Sequence, residues 1–177
     1  MSPVAGPLFA AALLLALAGA LKVSSPAPTR VALRSAGLPD SVLAARLIGA
    51  GEVAVAAYAL LAGGRSAALV ALAYVAFAAF SLRVIRATRG RASCGCFGAS
   101  DAPLTTLHVG VDLAVAAVAG LAVLDPVPGI VDVAADTPLA GIPFLAFTVL
   151  LAWLVQVLLT ALPQLQAAAR PPRKVAR

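Results

Sequence analysis

Five long apolar runs, separated by short polar segments, constrain the fold of this chain more than any other feature. They cover residues 4–21, 42–62, 66–85, 104–124 and 139–162. As helices that rise about 1.5 Å per residue, such runs can cross a hydrocarbon layer of ~30 Å. The chain is 62% hydrophobic and 11% charged, a balance that a soluble domain does not show. We predict an all-α integral membrane protein with five transmembrane helices, a four-helix bundle core plus one, within residues 1–162.

The positive charges fall in alternate connections between these runs. They lie after the first run, before Cys94 and in the tail 163–177, whereas the other connections carry Arg65 and three aspartates. This asymmetry predicts a multi-pass protein of the plasma membrane with a cytoplasmic C-terminus and a basic, disordered tail near anionic lipid. The net charge of +6 is thereby explained by membrane orientation. No zinc-finger spacing or phosphate-binding loop accompanies it, and we expect no nucleic-acid partner.

The first run has two interpretations. Ala18-Gly19-Ala20 resembles a signal-peptidase site, but no Lys or Arg precedes the run, and a secretory signal normally has a positive n-region. We therefore favour a retained first span. The connection 22–41 contains Pro26, Pro28 and Pro39, which predicts poor helix potential.

Two ionisable residues lie in the second run. Arg46 is one turn inside its basic end and can extend to the headgroups. Glu52 is ten residues from either end, where an ionised carboxylate costs several kcal/mol unless it is partnered or protonated. At about 100° per residue the two do not share a helix face. Glu52 should therefore face other helices and find its partner on another span.

A second polar feature lies in the fourth run. His108 and Asp112 are four residues apart and hence on one face of the helix. They form either a hydrogen-bonded pair that joins this helix to its neighbours or a group that handles protons. Thr105 and Asp101 are candidate caps of this helix.

Both cysteines of the chain lie in the segment Cys94-Gly95-Cys96-Phe97-Gly98. A disulfide across one residue closes a small, strained ring, which Gly95 tolerates best. A strained disulfide is more easily reduced, and nearby arginines favour the thiolate. The pair therefore suits thiol-disulfide exchange at Cys94 and Cys96, supported by the turn residues Gly95, Phe97 and Gly98.

Two alternatives remain for the cysteines. Cys94, Cys96 and His108 could bind a metal, but three ligands do not close a structural zinc site, so Asp112, water or another chain would have to add a fourth. We expect no metal. The cysteines could also be reduced and inert. We expect no cofactor, although a quinone is conceivable for a redox role.

The cysteine segment resembles the signature of the MauE family, methylamine-utilisation membrane proteins related to DoxX-like proteins. Other features agree in order over residues 8–124: Lys22 followed by Pro26, Glu52 opening a Gly/Ala-rich half-span, and a polar pair in the helix after the cysteines. Family members often have Arg and Asn where this chain has His108 and Asp112.

The resemblance implies a protein that assists maturation, processing or export of a disulfide-containing partner, as for the small (beta) subunit of methylamine dehydrogenase. The partner would be an exported disulfide-containing protein or a thioredoxin-like protein. Charge places the cysteines near the inner face, whereas disulfides form outside the cytoplasm. Either electrons are relayed through the bundle, or the orientation is inverted, or the partner is cytoplasmic. Rival functions are a carrier for a small solute or soft metal, with Glu52, His108 and Asp112 lining a path, and a noncatalytic assembly factor.

Overall fold

The computed structural model describes residues 2–89, 92, 104–136 and 138–168, with side chains omitted for residues 138–140 and 166–168. The elements found there are helical, and no strand occurs among them. They are α1 Ala5–Ser24, α2 Ala27–Ser35, α3 Val42–Ala62, α4 Ala67–Thr88, α5 Thr106–Leu124, α6 Ile130–Asp136 and α7 Pro138–Ala168, with a 3₁₀ turn at Gly64–Ser66.

Five of these helices are long and apolar enough to cross a membrane, which confirms the predicted fold class for the part of the chain that is described. They are α1, α3, α4, α5 and α7. Their bounds lie within a few residues of the predicted runs, except at the end of α7. Hydropathy locates such helices well because an unpaired backbone cannot stay in lipid, so each apolar run becomes a helix.

Helix α1 is the centre of the bundle. About 61% of its spanning window is buried, against 17–28% for the other four spans. It packs chiefly on α3 and α7, and α4 packs chiefly on α5. Tyr74 of α4 donates a hydrogen bond of 2.8 Å to the carbonyl of Ala11 in α1. The first run is thus built into the core of the bundle, and its retention stays a prediction.

Helices α1 and α3 approach closely at two glycines. A Cβ atom on Gly19 would lie 2.5 Å from the carbonyl oxygen of Gly49, and one on Gly49 would lie 2.6 Å from that of Gly19. Both distances are shorter than van der Waals contact, so no larger residue fits without separating the helices. The backbones touch because each helix presents a glycine to the other, as is common in membrane helix pairs.

The prediction of a poor helix former between the first two spans was wrong, because α2 forms there. Pro28 lies in the first turn of α2, where a missing N–H breaks no helical hydrogen bond. Thr29, Ala32 and Leu33 are buried, so α2 lays one face against the bundle. Near the end of α2, the Arg34 guanidinium donates hydrogen bonds to Asp40 and lowers the pKa of that partly exposed carboxyl below its usual value.

Helix α7 does not end where the sequence predicted. Pro163, expected just past its end, lies inside the helix together with Pro143, and the helix continues to Ala168. Residues 163–168 therefore belong to the helix rather than to a disordered tail, and residues 169–177 lie outside the described part. The short helix α6 was also not predicted.

The two ends of the bundle are held together by different contacts. At one end, Arg83 Nε donates a hydrogen bond of 2.7 Å to the carbonyl of Ala36, which joins the end of α4 to the connection after α2. At the other end, Gly63 and Gly64 adopt positive φ angles of 56° and 57°, and Gly64 N–H bonds the carbonyl of Val127 at 2.7 Å. The chain therefore turns tightly at Gly63 and Gly64. Which end faces the cytoplasm stays a prediction.

Candidate functional site

The cysteine segment is joined to the bundle at the end that carries α2. Cys94, Gly95, Cys96, Phe97 and Gly98 all lie outside the described residues, so their role stays a prediction. The residues on either side are described: Leu104 N–H donates a hydrogen bond of 2.9 Å to the carbonyl of Ala92. Leu104 also packs in a cluster with Ala36 and Val84. The chain therefore leaves and re-enters the bundle at adjacent points.

Glu52 forms a buried ion pair with Lys22 of α1. Lys22 Nζ lies 2.7 Å from Glu52 Oε2, and the two side chains are 6% and 7% exposed. The expectation that Glu52 turns inward and pairs with another span is thus met. Arg46 of the same helix is exposed, as its different face predicts.

The two close glycines bring this pair together. Added Cβ atoms would lie 2.8 Å from the Cβ of Lys22 for Gly49, and 2.9 Å from the Cβ of Glu52 for Gly19. The two helices cross antiparallel. Lys22 therefore lies opposite Gly49, and Glu52 lies opposite Gly19. Each of these glycines precedes the other charged residue by three positions. Glu52 is ten residues after Val42, so at about 1.5 Å per residue it lies about 15 Å from the start of α3.

Lys22 has further contacts beyond the ion pair, whereas the second oxygen of Glu52 has no hydrogen-bond donor among the described residues. Lys22 Nζ also reaches the carbonyl of Ala18 at 3.5 Å and lies 5.3 Å from the centre of the Phe77 ring, a cation-π distance. Glu52 Oε1 is buried and has no hydrogen-bond partner among the described residues. An acceptor left in this state costs about 1–3 kcal/mol.

Lys22 is the residue that sequence reasoning missed at this site. The charge was taken to mark the beginning of a polar connection, whereas α1 continues through it to Ser24. Glu52 itself could have predicted this partner. A carboxylate within the second run requires a cation, and Lys22 adjoins the first run. A glycine three residues before each charge completes that pattern.

His108 joins α5 to its own cap and to α7. Thr105 is the N-cap of α5, as predicted, and its backbone N–H lies 3.3 Å from His108 Nδ1 in a capping box. The backbone of Leu159 in α7 lies beside the imidazole and interacts with it. Since Nδ1 accepts from Thr105, Nε2 is the nitrogen left to donate to the Leu159 carbonyl.

This second contact has a cause in the sequence of α7. In a regular helix the carbonyl of Leu159 would accept from the N–H four residues later, but residue 163 is a proline and has none. We infer that His108 takes the place of the donor that Pro163 lacks. These contacts give His108 a helix-joining role, and the two predicted roles of His108 and Asp112, a bonded pair or a proton-handling group, stay predictions.

Asp112 lines a small pocket with His108 between α1, α4, α5 and α7. The pocket has a volume of about 30 Å³, and its polar lining also includes Lys22, Tyr74 and Ser81. That volume holds about one or two water molecules, and polar walls of this kind retain them. The predicted face shared by His108 and Asp112 is thus buried, and it reaches Lys22.

A second, larger pocket lies on the other side of the ion pair. It has a volume of about 210 Å³ and lies between α1, α2, α3 and α4. Its lining is almost entirely apolar apart from the ion pair and Thr29. The residues that line it are Lys22, Thr29, Ala32, Leu33, Leu38, Ile48, Glu52, Ala76, Phe77 and Phe80.

Metal binding is not tested by the described residues. Among them, no group of three or more His, Cys, Asp or Glu side chains is close enough to hold an ion. Cys94 and Cys96 were not part of that search, so the metal alternative at the cysteines stays a prediction.

A family model described as Methylamine utilisation protein MauE matches residues 3–125, more than half of the chain. The chain belongs to the MauE family. The match spans α1 to α5 together with the cysteine segment, and it includes Lys22, Glu52, His108 and Asp112. It ends before α6 and α7. Comparisons with curated proteins and with solved structures gave no match. This MauE-family protein therefore combines a multi-pass helical bundle with the cysteine segment that suggested the resemblance.

Proposed function

We propose that this protein assists the maturation, processing or export of a disulfide-containing partner by thiol-disulfide exchange at Cys94 and Cys96. The observation that carries the proposal is the family match over residues 3–125, which encloses the Cys94-Gly95-Cys96 sequence. A family described by methylamine utilisation makes a subunit of a methylamine-oxidising enzyme the first partner to test. Lipid is the solvent of the bundle.

The exchange proceeds in two balanced steps. In the oxidising direction, a partner thiolate attacks one sulfur of a Cys94–Cys96 disulfide, which forms a mixed disulfide and releases the other cysteine as a thiolate. A second partner thiolate attacks the mixed disulfide, so the partner gains a disulfide and both cysteines end as thiols. Two electrons pass to the cysteines, and two protons follow them. The reverse sequence reduces the partner.

The described structure supports this proposal by the way it holds the segment. Ala92 and Leu104 fix both of its ends at one point of the bundle, beside the α2 connection. Tying the two ends of a segment together lowers the conformational entropy that the segment can lose when a partner binds. The N-terminal end of α5, capped by Thr105 and His108, follows directly after this segment in the chain.

Thiol alkylation with a mass tag tests the proposal. Membranes from aerated cells should label at both cysteines only after a reductant, and Cys94→Ser and Cys96→Ser should each abolish partner maturation. Ser100→Ala, which changes a neighbouring hydroxyl but no thiol, should leave it intact. Free thiols in membranes from both oxidising and reducing cultures would refute the exchange.

A carrier for a small solute is the second candidate. The observation that favours it is that Lys22 borders both pockets, so buried polar groups follow one another across the bundle. A carrier should lose solute uptake in Glu52→Gln and keep it in Cys94→Ser with Cys96→Ser. The noncatalytic assembly factor predicts copurification with a partner that neither change affects.

A further inference from the structure

Glu52 is a charged residue with an unused acceptor atom beside an apolar cavity. Its Oε1 atom has no donor among the described residues, although its Oε2 atom is held by Lys22. A buried carboxylate oxygen normally accepts at least one hydrogen bond. The missing donor can come from a bound molecule, and Glu52 lines the larger of the two pockets beside the ion pair.

The size and lining of that pocket define what it can hold. Its volume is about 210 Å³, and an apolar cavity of ~150 Å³ in another protein binds benzene. Phe77 and Phe80 form one wall, and Leu33 and Ile48 face the same space. A single substituted aromatic ring fits both the volume and the apolar lining.

The pocket is reached from the side of the bundle. Ile48 of α3 is 40% exposed, and Ala76 of α4 is exposed as well. Both lie in membrane-spanning helices, so the surface between them faces lipid. A ligand dissolved in the bilayer can therefore enter between α3 and α4.

The charge of the site selects a neutral donor. Lys22 already neutralises Glu52, so a second cation would meet Lys22 without gaining a free negative charge. A ketone or an ether brings only acceptors and leaves Oε1 unsatisfied. We propose that the pocket beside Glu52 binds the ring of a lipid-soluble phenol, whose hydroxyl donates to Glu52 Oε1. This site is separate from the cysteines, and the proposal does not depend on thiol exchange.

Binding can be measured by ¹⁹F NMR on the full chain in lipid nanodiscs. The probes are 4-fluoro-3,5-dimethylphenol and its methyl ether, in which a methyl group replaces the donor hydrogen. We expect saturable binding of the phenol, about tenfold or more tighter than the ether, because a hydrogen bond to a charged group is being added. Equal affinities, or no saturable binding of the phenol, would overturn the proposal.

Matched variants separate this site from partition into lipid. Ala76→Leu fills the entrance and should weaken phenol binding about tenfold or more, while Ala79→Leu, an exposed residue of the same helix that does not line the pocket, should not. Lys22→Met with Glu52→Met keeps the volume and removes the acceptor, so phenol and ether should bind alike. Binding unchanged by Ala76→Leu, or a phenol preference retained in the double variant, would contradict the assignment. None of these results depends on the state of Cys94 and Cys96.

Discussion

At the level of single residues, the Lys22–Glu52 pair has the largest energetic consequence. Two charges have been taken out of water, and each is compensated mainly by the other. Such a pair contributes little net stability relative to apolar residues of the same size, but breaking it leaves an isolated buried charge. The pair therefore fixes which residues of α1 and α3 face each other.

The difference between breaking the pair and replacing it can be measured by substituting one partner or both. We expect Lys22→Met to lower the free energy of unfolding by about 3–5 kcal/mol, and Lys22→Met with Glu52→Met to return it to within about 1 kcal/mol of the wild type. Reversible unfolding in mixed micelles provides the measurement. A double variant as unstable as Lys22→Met would show that the pair is not the reason for the loss.

His108 allows a second test at this scale. We expect His108→Ala to cost about 1–3 kcal/mol, because it leaves the Leu159 carbonyl without a donor. Pro163→Ala restores a backbone N–H four residues after Leu159, so His108→Ala should cost less in that background. A double-mutant cycle measures the difference. The same cost in both backgrounds would mean that His108 does not compensate for Pro163.

At the level of elements, the crossing of α1 and α3 depends on backbone contact. The carbonyl of each glycine fills the space where a side chain of the other would lie. Helices that approach this closely gain van der Waals contact along the crossing. The depth of the ion pair is set by the same contact, since both charges stand opposite a glycine.

Two glycines of α3 provide a matched pair of substitutions. Gly49→Ala should lower the free energy of unfolding by about 1–3 kcal/mol, because the new Cβ would overlap the carbonyl of Gly19. Gly51→Ala meets nothing within 4 Å and should be neutral or stabilise by about 0.5–1 kcal/mol through helix propensity. Unfolding in micelles compares them. Equal effects of the two substitutions would argue against the close crossing.

Helix ends were harder to predict than helices, and particular residues show why. Hydropathy located the five spans because apolar length is a local property. Lys22 was placed outside α1 because its partner thirty residues away is not visible locally. Pro28 and Pro163 were taken as breaks, yet the first occupies an initial turn and the second is compensated by His108. Tertiary contacts decided each case.

The same reasoning applies to the candidate site. The sequence predicted that Glu52 is buried and paired, and that His108 and Asp112 share a buried face. It could not show that Lys22 adjoins both pockets, because this depends on how four helices pack. The role of Gly49 likewise becomes visible only through its crossing partner Gly19.

At the scale of the whole molecule, the distribution of charge predicts the orientation. We expect the end that carries α2, Arg83 and the cysteine segment to face the cytoplasm. Green fluorescent protein fused after the last residue should fluoresce, and alkaline phosphatase fused there should be inactive. As a control, phosphatase fused after Gly64 should be active. The opposite pattern would place the cysteines on the outer side, where disulfides form.

The hydrogen bond between Ala92 and Leu104 has a consequence for how such proteins can diversify. Because the two anchor points are already tied together, residues 93–103 can be lengthened, shortened or replaced without pulling the helices apart. Under the proposed function this segment is the part that meets the partner, so we expect that grafting it from another family member changes partner choice and leaves the helical bundle folded.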